Sequence, residues 1–427
     1  MTKFLKLTCL VSIILIAGCT KDKTQQIKEQ SAETQKWVNT GGITFSPESA
    51  LYGSAITING SFSTTPGANV VKINGVTGII NSVAADKIVV TVPVTATTGK
   101  ISVTANSVTT TSAIDFKVLK LVNEGSRTFP IPITNLSFDR SGNGVTYSLG
   151  GADIYKTTSA GIGTKLYSIP PQELVSAGRI YYLIMGIDND GLGNVYVIRN
   201  RYRDSSYTIP GGMGVNTETR VQSSVVLKIN AAGQVSTLLG DGAGPKFYNL
   251  TDLMIDAKGQ SIILYNAKFN TYENNEEFVT KVSRSGNVQN LNVPLPTYFF
   301  NDKDDNYYTI PGQGKTDAGK LFKVSSAGVV TFISGKGGLG NKNGPANEAT
   351  FGDGPAGLIV DGLKNVLLFY PYSAFRVVNT AGYASTLPVA LPETSGKDVM
   401  FFNRFTNKIY IIGASQSGAL IHQYAIK

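Results

Sequence analysis

The 427-residue chain is short of the residues that most active-site chemistry uses. It carries one histidine, two cysteines and one tryptophan, and 16% of its residues are charged, against roughly 25% in an average soluble domain. One histidine, His422, excludes a multi-histidine metal site and leaves a His-dependent triad a single candidate. Two cysteines exclude a disulfide framework. No apolar run approaches the roughly 20 residues that a transmembrane helix needs.

What is abundant points one way. There are 46 Gly, 20 Tyr and 19 Phe, with plentiful Thr and Val. Turn formers together with β-branched and aromatic residues describe an all-β chain.

The N-terminus reads as an address. Lys3 and Lys6 precede an apolar run from Leu7 to Ala17, the layout of a secretory signal. It ends in Leu15-Ile16-Ala17-Gly18-Cys19, which resembles a bacterial lipobox. That resemblance implies a signal peptide over 1–18, cleavage before Cys19 and a lipid on Cys19, with the membrane as partner through that lipid. Cys9 leaves with the signal, so no free thiol remains. Lys21-Asp22-Lys23 follows. A Lys followed by an acid there resembles the surface-export signal of Bacteroidetes lipoproteins, which implies an outer membrane anchor facing outward, the periplasmic face being the alternative. Residues 19–40 are polar and mixed in charge, a solvated tether. Trp37 within it is expected to pack on the first domain.

From 41 to 118 short alternating runs are separated by Gly, Asn and Pro. Gly53-Ser-Ala-Ile-Thr-Ile-Asn-Gly60-Ser-Phe62 and Lys87-Ile-Val-Val-Thr-Val-Pro93 are the clearest. They predict a β-sandwich. The two runs resemble the IPT/TIG family of immunoglobulin-like domains, which implies a spacer or a protein-contact module.

From 119 to 427 a turn pattern recurs: an acid or Asn, two variable residues, often Gly, then usually Asn. Copies begin at Asp139, Asp190, Asp256, Asp302, Asp361 and Asn403, at intervals of 51, 66, 46, 59 and 42 residues. Each leads into a β run, and second turns such as Ala232-Gly233, Ser285-Gly286, Ala327-Gly328 and Ala381-Gly382 follow. Six units of four strands predict a six-bladed β-propeller. Two linkers, Gly240–Phe247 and Gly335–Phe351, resemble those of the NHL repeat. The last unit is one strand short, and a spare strand precedes the first. Part of Val118–Asn123 is therefore expected to pair with the C-terminal strand and close the ring.

Candidate chemistry sits on the face built by the inter-unit linkers and the second-to-third-strand connections. The longest connection, Arg199–Ser224, reads as a loop, and long loops are often functional. Arg199, Arg201, Tyr202 and Tyr207, with Tyr272, Tyr370 and Tyr372 of other units, offer aromatic faces for sugar rings and guanidinium donors for hydroxyls or acids. Asp252, Asp353 and Asp398 precede innermost strands and are the weak candidates for a Ca²⁺ site. No cofactor is otherwise implied, and His422 reads as a strand residue. Nucleic acid is not an expected partner: the net charge of +9 is spread without a basic run. The layout resembles accessory glycan-binding lipoproteins of Bacteroidetes nutrient-uptake systems. That implies non-catalytic glycan capture. The alternatives are a protein-interaction scaffold in the cell envelope and a metal-dependent propeller hydrolase or lyase.

Overall fold

The computed structural model describes residues 42–427 apart from 130–132, 134, 141–145, 151–152, 159–162, 176–177, 209–214, 241, 243–246, 248, 257, 268–276, 284, 295–297, 353–354, 372, 392–398, 404–405 and 416–417. Cys19, Trp37, Tyr272, Tyr372, Asp353 and Asp398 therefore lie outside the described residues. Every regular element among the described residues is a β-strand. None of them forms a helix long and apolar enough to cross a membrane.

The N-terminal strands form two facing sheets. One orders Thr44–Ser46, Ala55–Asn59, Lys87–Thr91 and Ile79–Val83. The other orders Ser49–Leu51, Val108–Leu119, Gly99–Ala105, Asn69–Ile73 and Val76–Thr77. The period-2 alternation explains the packing. Ile56, Ile58, Ile88 and Val90 from the first sheet meet Val71, Ile73, Ile101 and Phe116 from the second, all at 1% exposure or less. Alternate residues such as Lys72, Lys87, Lys100 and Asp115 are exposed on the outer faces.

Six further antiparallel sheets follow in chain order. Their innermost strands are Asn135–Phe138, Gly178–Asn189, Leu250–Ile255, Tyr298–Asn301, Gly357–Val360 and Val399–Asn403. The first contacts the second, the second the third, the fourth the fifth and the fifth the sixth, and the sixth returns to the first. Asn301 Nδ2 donates to the Ile255 carbonyl at 3.2 Å, which joins third to fourth. A closed ring of sheets is a β-propeller.

The repeated turn is a hydrogen-bonded device. Asp190 Oδ1 accepts the Leu192 and Asn194 amides, while Oδ2 accepts Asn194 Nδ2 and the Tyr196 hydroxyl. Asp302 repeats this with Asp304, Asn306 and Tyr308. Burial opposes ionisation of Asp190, but these donors outweigh it and hold the carboxyl below its ordinary value. The fourth position needs positive φ. It is Gly193 and Gly259 in two sheets but Asp305 (59°) and Lys364 (67°) in others. Lys364 there forms ion pairs with Asp302, at 2.9 Å, and with Asp304, so the strained residue ties neighbouring sheets together.

The ring closes as expected. Leu121–Phe129 pairs antiparallel with Gly418–Ile426 through eight registered pairs, from Leu121↔Ile426 to Phe129↔Ala419. Lys120 and Lys427 exchange backbone hydrogen bonds at 2.6 and 2.9 Å. Val118, by contrast, pairs in parallel with Ala50 and stays in the sandwich. Glu124 locks the seam. It accepts from Gln423 Nε2 at 2.6 Å and pairs with Lys408, at 3.2 Å, and Lys427.

The sandwich is seated on the fifth sheet of the ring. Asn365 Nδ2 donates to Ser54 Oγ at 2.8 Å. Asn379 Nδ2 donates to the Gly53 carbonyl and to Thr91 Oγ1, at 3.0 and 2.9 Å. Leu367, Phe369, Phe375 and Val377 share one apolar core with the sandwich. Asn365 and Asn379 belong to turns between first and second and between third and fourth strands. The sandwich thus covers the turn face, opposite the face of linkers and second-to-third connections.

Two outcomes are expected. Hydrogen bonding and ion pairing to Lys427, Gln423 and Lys408 hold the Glu124 carboxyl at about 2, below its ordinary 4.5. Its contribution is complete above 4.5 and is lost as pH falls toward 2. Glu124→Gln should cost on the order of 1 kcal/mol at pH 7, and the difference from wild type should vanish near pH 2 in thermal melts. Gly53 has φ +82°, and an added Cβ would sit 2.3 Å from Val377 Cγ1. Gly53→Ala should therefore destabilise by about 2 kcal/mol or more in urea unfolding.

Candidate functional site

The stretch Arg199–Ser224, expected as a loop, is mostly strand. Val195–Thr208 pairs with Val215–Ile229, from Val195↔Ile229 to Thr208↔Val215, and on its other side with Gly178–Asn189. Glu173–Val175 adds a fifth strand. The three long strands carry the second sheet well past its neighbours on the linker face. The cause lies in the alternation Arg199-Asn-Arg-Tyr-Arg-Asp204. It is polar on both sides, so it hides the period-2 signal that apolar residues give, yet its tyrosine and flanking Thr and Val still favour extended backbone.

Alternation sends these side chains to two sides. One side faces the third sheet. There Tyr181 and Tyr202 stack with ring centroids 5.2 Å apart at 10°. Arg179 lies 5.0 Å above the Tyr181 ring. Arg179 Nε donates to Asp204 Oδ2 at 2.6 Å, and Thr219 Oγ1 donates to Asp204 Oδ1 at 2.7 Å. Those two donors hold the Asp204 carboxyl below its ordinary value, with Thr219 contributing most. Asn200 Nδ2 anchors the base of the column on the Leu250 carbonyl at 2.8 Å. Tyr202 is therefore a member of a self-satisfied column.

The other side faces the first sheet and is cationic. Arg199, Arg201 and Arg203 occupy alternate positions of one strand, opposite Ile184, Tyr182 and Ile180. The Arg199 guanidinium lies 5.2 Å from the Tyr182 ring centre and 3.5 Å from the Tyr167 hydroxyl. Arg201 is half-buried and Arg203 exposed. Among the described residues no acid pairs with Arg201 or Arg203.

The remaining expected residues scatter. Tyr207 pairs with Asn216 in the same hairpin, and its side chain lies outside the described ones. Tyr370 is 6% exposed, with its ring against Gly352; burial pushes its hydroxyl up to about 12. It is a core residue, and its ring offers no platform. His422 pairs with Ile411 and Ser126 within the closing sheet, as a strand residue. Tyr182, Tyr167, Arg179 and Tyr181 were not singled out from the sequence. The signal for Arg179, Tyr181 and Tyr182 is the run Arg179–Asn189, which is longer than any other run leading into an Asp turn; Tyr167, in the first sheet, has none.

The axis of the ring carries a separate polar belt. Asp188 Oδ1 accepts Ser137 Oγ and its Oδ2 accepts the Ile255 amide, at 2.7 and 2.8 Å. The Arg140 side chain, 8% exposed, pairs with Asp188 at 3.5 Å and donates to the carbonyls of Ile255, at 2.8 Å, and Asp256. Three sheets are thereby tied by one arginine. Asp252 Oδ1 accepts the Leu253 amide at 2.8 Å. Burial pushes the Asp252 carboxyl up to about 7, against the Leu253 hydrogen bond and with help from the charge of Asp188. Among the described residues no group of three or more His, Cys, Asp or Glu is arranged to hold a metal ion.

Asp252 supplies a test of this belt. Its native carboxyl keeps a proton that the unfolded chain has released between about 4 and 7, so this residue lowers stability as pH rises through that window. Asp252→Asn should leave the midpoint nearly unchanged at pH 4 and raise it by about 2–4 °C at pH 8. Scanning calorimetry at both pH values decides; a pH-independent difference contradicts the assignment.

No protein-family model matches the chain, and no curated protein matches it. Several solved structures are similar in fold. An auxiliary nutrient binding protein from Bacteroides ovatus ATCC 8483 is 12% identical, with 91% of this chain and 99% of that chain covered at a TM-score of 0.45. A protein of unknown function from Bacteroides thetaiotaomicron VPI-5482 is 13% identical over 91% and 99%, also at 0.45. Virginiamycin B lyase from Staphylococcus aureus is 10% identical over 72% and 100%, at 0.40.

Proposed function

We propose that this chain is a non-catalytic binding protein of the bacterial cell surface. It is lipid-anchored at Cys19 to the outer membrane and captures a glycan for a nutrient-uptake system. In this reading residues 19–40 are the tether and 41–118 an IPT/TIG-type spacer. Residues 119–427 form a six-bladed NHL-like propeller whose linker face meets the ligand.

One observation carries the reading. Among the described residues the second sheet alone is extended on the linker face, and it presents Arg199, Arg201 and Tyr182 together on one side. A tyrosine face packs on the C–H face of a sugar ring, and a guanidinium donates fixed hydrogen bonds to its oxygens. The sandwich sits on the opposite face, so a ligand on the hairpin does not meet the spacer.

Affinity electrophoresis across a polysaccharide panel tests the proposal. At least one glycan should retard the protein, and Tyr182→Ala should reduce the retardation about tenfold without lowering the melting temperature. No retardation by any glycan returns the scaffold reading. The anchor has its own readout: radiolabelled palmitate should label the wild type in growing cells and not Cys19→Ala, which should also leave the membrane fraction.

A further inference from the structure

We infer that the arginine side of the hairpin selects anionic polysaccharides, whose acid groups seat against Arg201 and Arg203; this rests on the glycan-capture reading and narrows it. Arg199, Arg201 and Arg203 stand in a column on one strand, about 6.6 Å apart from one to the next. Like charges in a column repel one another.

The acid next to Arg203 in sequence is committed elsewhere. Asp204 faces the other side of the sheet, where Arg179 and Thr219 engage both its oxygens. Among the described residues Arg201 and Arg203 keep no acidic partner; the residues paired with them are Tyr182 and Ile180 on one neighbouring strand and Ser223 and Arg220 on the other. Arg203 is exposed and Arg201 half-buried, so their donors are open to a ligand. A guanidinium binds planar acid groups through paired hydrogen bonds. A cationic column that opens to solvent at Arg203 thus complements a chain of repeated negative charge.

Two features favour a glycan over an acidic peptide. The strand Val195–Thr208 is hydrogen-bonded on both sides along this stretch, so a peptide finds no free backbone for strand addition. Tyr182 beside Arg199 and Arg201 supplies the stacking surface that a sugar ring uses.

The test pairs each acid with its neutral twin: polygalacturonate against its methyl ester for carboxylates, and dextran sulfate against dextran for sulfate esters. Poly-glutamate is the peptide arm. The intact protein should bind at least one acidic member about tenfold more tightly than its twin, and the preference should shrink as salt rises. The double substitution Arg201→Gln, Arg203→Gln should abolish that preference while the melting temperature holds. The glycan that wins identifies the acid group. Equal binding of acid and neutral twins, or a preference untouched by the double substitution, overturns the inference and leaves glycan capture standing. Binding of poly-glutamate with no glycan bound, or no binding in any arm, overturns both.

Discussion

The pairing of Leu121–Phe129 with Gly418–Ile426 is the constraint on which the rest depends. A ring of sheets opens at its seam unless the two ends of the repeat array share a sheet, because each unpaired edge leaves a row of backbone groups without partners. Here the seam joins residues about 300 apart in sequence, a costly loop to close in entropy. The structure reinforces it with the Glu124 cluster and with reciprocal bonds between Lys120 and Lys427. The closing strand is also the exit from the sandwich, and the Leu121 amide donates to the Tyr52 hydroxyl at 3.3 Å. Seam, sandwich and ring are consequently one packed body.

That body has two unlike faces. The turn face is occupied: buried Asn365 and Asn379 hold the sandwich, and Gly53 leaves no room for a side chain against Val377. The linker face is built to carry longer segments. Arg376, fully buried, donates to the carbonyls of Thr350 and Lys342 at 2.6 and 2.8 Å and stacks on Phe351 at 5.0 Å. It fixes the glycine-rich linker between fourth and fifth sheets. The long hairpin rises from the same face on a base of buried Val195, Val197, Ile198 and Val226, which gives Arg199, Arg201 and the exposed Arg203 a rigid support.

Much of this fold was legible because its signals are local. The Asp turn is written in five consecutive residues, and the hydrogen bonds of Asp190 and Asp302 are the physics of that pattern. The missing strand of the last unit was readable by counting, which located the seam. The site was harder to read. Arg199 and Tyr202 are three residues apart in a stretch that looked like loop, and only the register of three paired strands places them on opposite sides. Tyr370 looked like a surface aromatic beside Pro371, but burial depends on Gly352, eighteen residues away in a linker. Arg140 carries no signal in the sequence, since its partners lie 48 to 116 residues downstream.

On the proposed reading, ligand meets this protein on the extended hairpin of the linker face. Hydrogen–deuterium exchange of the intact protein, with and without the tightest-binding polysaccharide, tests it most directly. Slowed exchange is expected in peptides spanning Gly178–Ile184 and Arg199–Thr208, with no change at the turns 361–365 and 379–383 or in the sandwich. Protection confined to the sandwich or the turn face contradicts it.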